Sequence, residues 1–322
     1  MEGNIVKISD AQLRIGIIGG GPAGLTLAAH LIEAGAMVVV CDLITEKIDV
    51  IKKSGIKLTK TINKHVSINH VCCTISELGD YDLDVIVISV KTTALNAVVE
   101  QLTRIDSGKM FVVCAQNGID NELIAAEAFG KDRTLRMVIN YAGEMKNLNT
   151  VKVTFFHPPN HIAALTANGK EISEAIRNLL NSVKLKTVIS GPDKIRNHVW
   201  EKSILNASLS CLCAISHCTM KEVMSFPETK DLVAGIIDES IMVAKKENIE
   251  IRNGFRRDCI LYLEKAGHHK PSMLIDIENG AMTEIDRLNG KIREYGLKHG
   301  IDTPLNRAVT ALIHLQEKKE NG

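Results

Sequence analysis

Short apolar runs alternate with amphipathic stretches through the first third of the chain. The runs are apolar at nearly every position, which is typical of parallel strands covered by helices on both faces. Strands are predicted at residues 13–18, 37–41, 84–90 and 110–115, with helices between them at 22–34, 46–54 and 93–102. Residues 56–74 alternate only weakly, and predict a hairpin or an irregular insert. This order predicts an α/β fold with a doubly wound sheet.

The pattern changes after about residue 133, where strand signals follow one another with little helix between them. We expect these strands to be antiparallel additions to the sheet. They are predicted at residues 135–141, 151–156 and 162–166, followed by a helix at 171–182 and a strand at 186–189. From residue 193 onward only helical periodicity is found. The sequence therefore predicts two domains, residues 1–191 for the α/β part and residues 192–322 for an all-helical part.

Composition and charge exclude some classes of function. Lys and Arg number 39 against 38 Asp and Glu, which leaves a formal charge of +1, and no basic block occurs. Aromatic residues make up 3% of the chain, which is a poor supply of platforms for base stacking. No apolar run approaches the roughly 18 residues that a membrane span requires. We therefore expect neither a nucleic-acid nor a membrane partner.

The eight cysteines form no C-x-x-C pair and no Cys/His cluster at zinc spacing. The histidines have no carboxylate or cysteine at ligand spacing either, so we expect no metal site. Residues 1–12 are polar and charged, unlike a signal peptide. Free thiols and the lack of a leader are typical of a cytoplasmic protein, which is our expectation.

A glycine-rich turn, Gly19-Gly20-Gly21-Pro22-Ala23-Gly24, follows the first predicted strand and opens the first predicted helix. It fits G-x-G-x-x-G: Gly19 permits the tight turn, Gly21 lets the backbone approach a pyrophosphate, and Gly24 lets helix and strand pack closely. The helix N-terminus favours the pyrophosphate charge. The same six residues also occur in FAD-binding monooxygenases, but we find no second FAD motif here. A Rossmann-type site for a nicotinamide dinucleotide is therefore expected.

Asp42 ends the second predicted strand, 18 residues beyond Gly24. A carboxylate at this place can accept both hydroxyls of a ribose, and it would repel a 2′-phosphate. The three residues after it carry no positive charge, and Lys47 is the nearest cation. Asp42 could instead only cap the turn into the next helix. We expect NAD(P)H as cofactor, with NADH favoured over NADPH.

Six further short motifs follow the glycine loop in order. They are Ser89-Val90-Lys91-Thr92, Gln116-Asn117-Gly118, Trp200-Glu201-Lys202 with Asn206, Ser272-Met273-Leu274 with Asp276, Thr283-Glu284-Ile285-Asp286 with Asn289-Gly290, and the run from Gly300 to Asn306. Their order and spacing resemble the ketopantoate reductase (2-dehydropantoate 2-reductase) family over about residues 14–308. The resemblance implies a Rossmann-type domain followed by a helical domain like that of 6-phosphogluconate dehydrogenases. It also implies hydride transfer from a nicotinamide cofactor to the C2 carbonyl of a 2-oxo acid.

The resemblance also implies roles for single residues. Lys202 is implied as the general acid that protonates the developing alkoxide, and Glu284 as the carboxylate that works with it. The substrate would be held by Asn206, Ser210, Ser272 and Asn117, and the cofactor would be contacted by Lys91, Asn117 and Glu284 besides the loop and Asp42. The chemistry agrees, because a desolvated lysine can both stabilise an oxyanion and deliver a proton.

The chain departs from the family at three places. The family pattern has a second asparagine eight residues after the lysine, where this chain has Ser210. The family usually prefers NADPH, whereas Asp42 favours NADH. The segment from Tyr141 to His161 differs from the family pattern as well. These departures concern the exact substrate and cofactor more than the type of reaction.

Each proposed site residue also has an ordinary structural explanation when it is taken alone. Lys202 could be a solvated helix lysine, and Glu284, predicted within a helix, could form an exposed pair with Arg287. Asn117 could end a strand in a turn, and Ser272 could cap a helix. Only their combination at family spacing favours catalysis.

Three functions remain open from the sequence. The leading one is a 2-oxo acid reductase that converts ketopantoate to pantoate in pantothenate biosynthesis. A second is a D-2-hydroxyacid dehydrogenase of the mandelate type on the same fold. The third, from another class, is a dinucleotide-sensing protein without catalysis, which would not need Lys202 and Glu284. A homodimer is expected because helical second domains of this kind often pair.

Overall fold

The structure is a computed structural model that describes residues 12 to 320. Its contacts divide the chain into two units, one of residues 12–116 and 121–195, the other of residues 117–120 and 196–320. The division falls inside the helix that begins at Pro192, close to the boundary expected after residue 191. It also assigns a short segment, 117–120, to the helical unit. The polar start of the chain, on which the expectation of no signal peptide depends, lies outside the described residues.

The first unit contains the strands and five of the helices of the described residues. Its strands are β1 (Arg14–Ile18), β2 (Met37–Cys41), β3 (Ile56–Lys60), β4 (Lys64–Val66), β5 (His70–Cys72), β6 (Val85–Ile88), β7 (Phe111–Cys114), β8 (Thr134–Val138), β9 (Tyr141–Asn147), β10 (Thr150–Phe156), β11 (Asn160–Ala164) and β12 (Thr187–Ile189). Its helices are α1 (Pro22–Glu33), α2 (Thr45–Ser54), α3 (Leu95–Thr103), α4 (Asn121–Phe129) and α5 (Lys170–Ser182).

Within residues 12 to 320, the main sheet has eight strands in the order β12-β11-β8-β7-β6-β1-β2-β5. The six strands from β8 to β5 are parallel, and their order is that of a dinucleotide-binding sheet. β11 adds to β8 in the antiparallel direction, and β12 then pairs parallel with β11. The doubly wound fold that the sequence predicts is confirmed, and its switch point lies between β1 and β6.

The core confirms that helices cover both faces of the sheet. Successive residues of one strand point to opposite faces. Ile15 and Ile17 of β1 are fully buried in a cluster that includes Leu27 of α1. Ile86 of β6 belongs to a second cluster, together with Leu102 of α3. Because both faces are covered, the strands are apolar throughout rather than alternating.

Two sequence-based expectations about this unit were wrong in part. Of the three strands expected to extend the sheet in the antiparallel direction, only β11 does so, since β8 pairs parallel with β7. The strand predicted at 151–156, β10, instead pairs with β3 of the hairpin β3–β4 and with β9, which the sequence did not predict, in a second sheet of the described residues ordered β4-β3-β10-β9. The pattern locates a strand but not its partner, and β3 pairs with β10 from about 90 residues away. Helix α4 was missed because its buried residues include the polar Asn121 and Glu122, which hide the apolar period.

The second unit is helical, as the sequence predicts, and no strand occurs between residues 196 and 320. Its helices are α6 (Pro192–Ser216), α7 (Met220–Ser225), α8 (Pro227–Lys246), α9 (Phe255–Glu264), α10 (Ser272–Glu278), α11 (Asn289–Lys298) and α12 (Pro304–Glu320). A 3₁₀ turn, Ile285–Arg287, precedes α11. None of the helices within residues 12 to 320 combines the length and the apolar character that crossing a membrane requires.

Candidate functional site

The glycine loop lies at the carboxyl end of β1 and enters α1. Gly19 has a φ of +108°, and a Cβ there would lie 2.9 Å from the backbone nitrogen of Val90. A Cβ on Gly24 would lie 2.1 Å from the carbonyl oxygen of Gly19. The hydroxyl of Ser89, just after β6, donates to the carbonyls of Ile18 and Gly19 at 2.9 and 3.1 Å. These contacts leave no room for side chains at either glycine, so the loop holds one tight conformation.

Gly21 shows the opposite situation, because it faces open space. No described heavy atom lies within 4 Å of the position that a Cβ on Gly21 would take. Gly21 is also the N-cap of α1, and as a glycine it has no side chain with which to cap this helix end. The first-turn N–H groups of a helix are an anion site when nothing caps them. The loop therefore fits the pyrophosphate of a dinucleotide, with Pro22 setting the first helical φ and Ala23 and Gly24 following it.

Asp42 directly follows β2, where the sequence places the ribose-binding acid. Its Oδ2 accepts the backbone N–H of Gly20 at 2.7 Å and the ammonium of Lys47 at 3.0 Å. Its Oδ1 accepts the N–H of Ile44 at 3.0 Å, so the carboxylate also caps the turn into α2. The structural explanation of Asp42 as a cap of this turn therefore holds.

Two apolar side chains stand in solvent beside this acid. Leu43 is 83% exposed and Ile44 is 50% exposed, although both are large hydrophobic residues. An exposed apolar pair next to a polar acid is suited to cover a flat ring, since burying it against a ligand removes apolar surface from water. At the same edge of the sheet Lys91 follows β6; its side chain is exposed, and a 3₁₀ turn begins after it.

The second unit contains a polar pocket built from separate segments of the chain. It is lined by Asn117, Asn206, Ser210, Ser272, Met273, Asp276, Glu284 and Leu288. The structure thus brings together all four residues expected at the substrate and one of the two expected to be catalytic.

Helix α6 contributes the periodic part of this pocket. Lys202, Asn206 and Ser210 are spaced by four residues and therefore share one face of the helix. Asn206 and Ser210 line the pocket, whereas Lys202, which is half-buried, is not among the described residues that line it.

Asp276 is the ionisable residue of this pocket to which sequence reasoning gave no role. It lies four residues after Ser272 on α10 and is 8% exposed, so its carboxylate belongs to the buried wall of the pocket. The spacing of four from Ser272 was the available signal.

We had expected Glu284 within a helix, but it lies outside the α-helices. It is the N-cap of the 3₁₀ turn, and α11 begins only at Asn289 because Leu288 has a non-helical backbone with φ −112° and ψ −98°. Glu284 is half-buried and lines the pocket.

Backbone and side-chain contacts fix the segment 117–120 to the rest of the helical unit. The N–H of Ile119 donates to the carbonyl of Arg287 at 2.9 Å. Asp120 is 7% exposed, and its Oδ2 accepts the hydroxyl of Tyr295 at 2.8 Å and lies 3.2 Å from the ammonium of Lys291. Burial and the hydrogen bond to Asp120 raise the pKa of Tyr295 well above its ordinary value. The phenol therefore stays protonated, and the segment that carries Asn117 is held in place.

A buried polar network connects the helices around the pocket. Glu239 of α8 accepts the backbone N–H groups of Leu305 and Asn306 at 2.8 and 3.0 Å, which caps α12. The Asn306 side chain donates to Glu239 at 2.7 Å and accepts from Asn289 at 3.0 Å. Asn289 also donates to the carbonyl of Ala207 on α6 at 3.1 Å. The network joins four helices, and it contacts the residues next to Asn206 and Leu288.

Metal chemistry has no candidate site in the part of the chain that the structure describes. No group of three or more His, Cys, Asp or Glu side chains within residues 12–320 is placed to hold an ion.

Two family models match the chain, one for each part. The model described as "Ketopantoate reductase PanE/ApbA" matches residues 15–162. The model described as "Ketopantoate reductase PanE/ApbA C terminal" matches residues 194–317.

Individual proteins agree with these matches. The chain is 24% identical over 303 residues to a 2-dehydropantoate 2-reductase of Streptococcus pyogenes serotype M18, covering 94% of this chain and 97% of that protein. A solved PanE/ApbA family ketopantoate reductase from Ralstonia eutropha JMP134 superposes with a TM-score of 0.86 at 22% identity, over 96% of this chain and 100% of the other. D-mandelate dehydrogenase, solved with NADH and anilino(oxo)acetate, gives a TM-score of 0.83 at 24% identity, over the same shares of the two chains.

A dinucleotide-binding sheet with an open glycine loop, followed by a helical unit, defines an oxidoreductase that uses a nicotinamide dinucleotide. The chain belongs to the ketopantoate reductase family, as the sequence motifs indicate.

Proposed function

We propose that this enzyme reduces the C2 carbonyl of a 2-oxo acid with NAD(P)H, and that 2-dehydropantoate is its substrate. The polar pocket of the helical unit carries the proposal, because Asn117, Asn206, Ser210, Ser272 and Glu284 come to it from four separate segments. A structural role for each residue alone would not require them to line one pocket. The reaction would supply pantoate for pantothenate biosynthesis, and the relatives named 2-dehydropantoate 2-reductase support this assignment.

Binding of the cofactor is assigned to particular residues in this proposal. In the first unit, the glycine loop would hold the pyrophosphate and Asp42 the adenosine ribose. The family resemblance implies further cofactor contacts for Lys91, Asn117 and Glu284. When bound, the nicotinamide supplies the hydride that C2 accepts.

The substrate side needs a proton and a fixed orientation. Lys202 donates its proton to the carbonyl oxygen as negative charge develops there, and Glu284 orients the lysine and accepts a hydrogen bond from a substrate hydroxyl. Asn206, Ser210 and Ser272 hold the acid in the pocket.

A panel of 2-oxo acids tests this proposal. Each acid is mixed with NADH or NADPH, and the loss of reduced-cofactor absorbance is followed. We expect turnover, with ketopantoate giving the highest kcat/KM. Binding of the dinucleotide without reduction of any acid would contradict the proposal and favour a sensor.

A D-2-hydroxyacid dehydrogenase is the second candidate, and one observation favours it. Ser210, which lines the pocket, is shorter than the asparagine of the family pattern, and Met273 and Leu288 add apolar lining. Such a pocket leaves room for a bulkier side chain, and the fold is shared with D-mandelate dehydrogenase. A 2-oxo acid with an aromatic side chain in the same panel separates the two candidates.

Three further features of the proposal concern the cofactor and the cell. NADH is favoured over NADPH because the carboxylate of Asp42, which is hydrogen-bonded to Gly20 of the glycine loop, would repel a 2′-phosphate. The enzyme forms a homodimer and works in the cytoplasm; both are predictions. Light scattering after size exclusion tests the homodimer, and fractionation of cells tests the cytoplasmic location.

A further inference from the structure

Lys47 occupies a place on α2 that helix physics does not favour. It is the third residue of the helix, in the first turn, where the positive end of the macrodipole repels a cation. The other lysines of α2, Lys52 and Lys53, lie in its last turn, where cations are stabilised. Lys47 is nevertheless well buried, with 11% of its side chain exposed, whereas Lys53 is exposed. Something other than the helix must therefore hold Lys47 there.

Asp42 is the partner that holds it. The Lys47 ammonium lies 3.0 Å from Oδ2 of Asp42, whose side chain is 12% exposed. The Cδ atom of Lys47 would lie 3.1 Å from a Cβ on Gly20, so the lysine lies against the start of the glycine loop. A well-buried ion pair is screened less by water and salt than an exposed pair.

The pair with Lys47 reduces the number of acceptor sites on Asp42 that remain for the hydroxyls of a ribose. An ionised carboxylate offers about four lone-pair sites. The N–H of Gly20 and the ammonium of Lys47 occupy two of these sites on Oδ2 of Asp42, and the N–H of Ile44 occupies one on Oδ1. About one site remains, whereas a ribose with two free hydroxyls needs two. Asp42 can accept both hydroxyls only if the Lys47 ammonium leaves it.

We propose that Lys47 determines the cofactor specificity of this enzyme by neutralising Asp42 and supplying the cation for a ribose 2′-phosphate. The inference rests on the proposed use of NAD(P)H. With Lys47 present, the charge of Asp42 is balanced, so NADPH is accepted with only moderate discrimination. Without Lys47, the bare carboxylate repels the 2′-phosphate and frees a second acceptor for the NADH ribose.

Direct binding of the two dinucleotides tests this proposal without relying on turnover. The dissociation constants of NADH and NADPH are measured by calorimetry for the full-length enzyme, Lys47→Met, Lys47→Arg and the matched control Lys53→Met. We expect Lys47→Met to weaken NADPH binding by about tenfold, the size of one charge-assisted contact, and to change NADH binding by less than about threefold. Lys47→Arg should retain NADPH binding, and Lys53→Met should change neither.

A double-mutant cycle separates a specific contact from a structural role. Asp42→Asn removes the negative charge and should strengthen NADPH binding by about tenfold while Lys47 is present. In the double variant with Lys47→Met this gain should disappear, because no cation remains to meet the phosphate. Thermal unfolding of each variant shows whether the fold is retained.

The outcomes are distinct. Equal weakening of NADH and NADPH by Lys47→Met, or an unchanged ratio of the two constants, would overturn the role of Lys47. If the unmodified enzyme binds neither dinucleotide, the proposed function is wrong as well. If the ratio shifts as expected but no 2-oxo acid is reduced, the role of Lys47 stands and the proposed reaction fails.

Discussion

Tyr295 donates a hydrogen bond to Asp120 over 2.8 Å, and through this contact α11 holds the segment that carries Asn117. The same tyrosine ring packs against Trp200 of α6, with ring centroids 5.4 Å apart. The Tyr295 side chain therefore contacts both α6 and the segment 117–120, which form two walls of the pocket. A pocket whose polar groups come from separate segments needs such a common support, because a small displacement of one group weakens all the contacts to a bound ligand.

Removing the Tyr295 hydroxyl should loosen Asn117 without unfolding the unit. Tyr295→Phe keeps the ring against Trp200, and Asp120 keeps Lys291 as a partner, so the loss in unfolding free energy should be about 1 kcal/mol. We expect kcat/KM for the best 2-oxo acid to fall by about three- to tenfold, and dinucleotide affinity to fall by less than about threefold, because Asn117 is only one of the proposed cofactor contacts. Steady-state kinetics check this, with Tyr81→Phe in the first unit as control. Unchanged kinetics would show that Asn117 needs no support from Tyr295.

Ser210 should tune the choice among 2-oxo acids. Ser210→Asn restores the amide of the family pattern and fills space in the pocket that Ser210 lines. A missing polar contact to a buried partner can reduce turnover by on the order of 10²-fold, so the variant should favour ketopantoate over bulkier acids. The ratio of kcat/KM for ketopantoate to that for an aromatic 2-oxo acid measures the effect. An unchanged ratio would place Ser210 outside the substrate contacts.

Asn289 should contribute mainly to stability. Its side chain is fully buried, and Asn289→Ala leaves the carbonyl of Ala207 and the amide oxygen of Asn306 without this donor. We expect a loss of about 1–3 kcal/mol in unfolding free energy, measured by urea denaturation. The exposed Asn253→Ala is the control, with a change of less than about 0.5 kcal/mol. Equal stability of both variants would contradict the network.

Acid should destabilise the first unit through His30. The ring is 2% exposed, and burial lowers its pKa to about 4, while its Nδ1 bonds to the carbonyl of Thr26 at 2.6 Å. The unfolded chain, with the ordinary pKa of 6.5, takes up the proton first as the pH falls. The contribution of the neutral ring to stability is therefore complete above pH 6.5 and is lost as the pH falls from 6.5 to about 4.

The size of this loss of stability follows from the difference between the pKa of His30 in the folded chain and its ordinary pKa. Between pH 7.5 and pH 5 the loss should be about 2 kcal/mol, since the loss grows by about 1.4 kcal/mol for each pH unit below 6.5. Urea unfolding at pH 5 and pH 7.5 measures it, and His30→Gln should flatten the dependence. A variant with the same pH dependence as the unmodified chain would assign the effect to other groups.

Much of the fold follows from local sequence pattern, because apolar strands, glycine turns and helical periods are local features. The strand that ends at Cys41 and the acid Asp42 that follows it are examples. The pairing of β3 with β10 was not predictable, since it depends on contacts between distant segments. Helix α4 was missed because polar Asn121 and Glu122 occupy its buried face.

The candidate site, like the fold, could be predicted from the sequence only in part. The spacing of Asn206 and Ser210 on one helix predicts that they share a face, and the pocket contains both. The spacing of four from Ser272 could have placed Asp276 on the same face of its helix, but the pairing of Lys47 with Asp42 could not be predicted. That pairing depends on how side chains meet in three dimensions, and a buried lysine in a first helical turn has no sequence signal of its own.

The central claim is that Lys202 supplies the proton for reduction of a 2-oxo acid, and its most direct test is the kcat of Lys202→Ala. Loss of the proton donor and of the cation should lower kcat by roughly 10²–10⁴-fold on the best substrate. The affinity for the dinucleotide should stay within about threefold, because the glycine loop and Asp42 are untouched. Lys194→Ala, an exposed lysine on the same helix, should retain full activity. A Lys202→Ala enzyme with near-normal kcat would contradict the proposed mechanism.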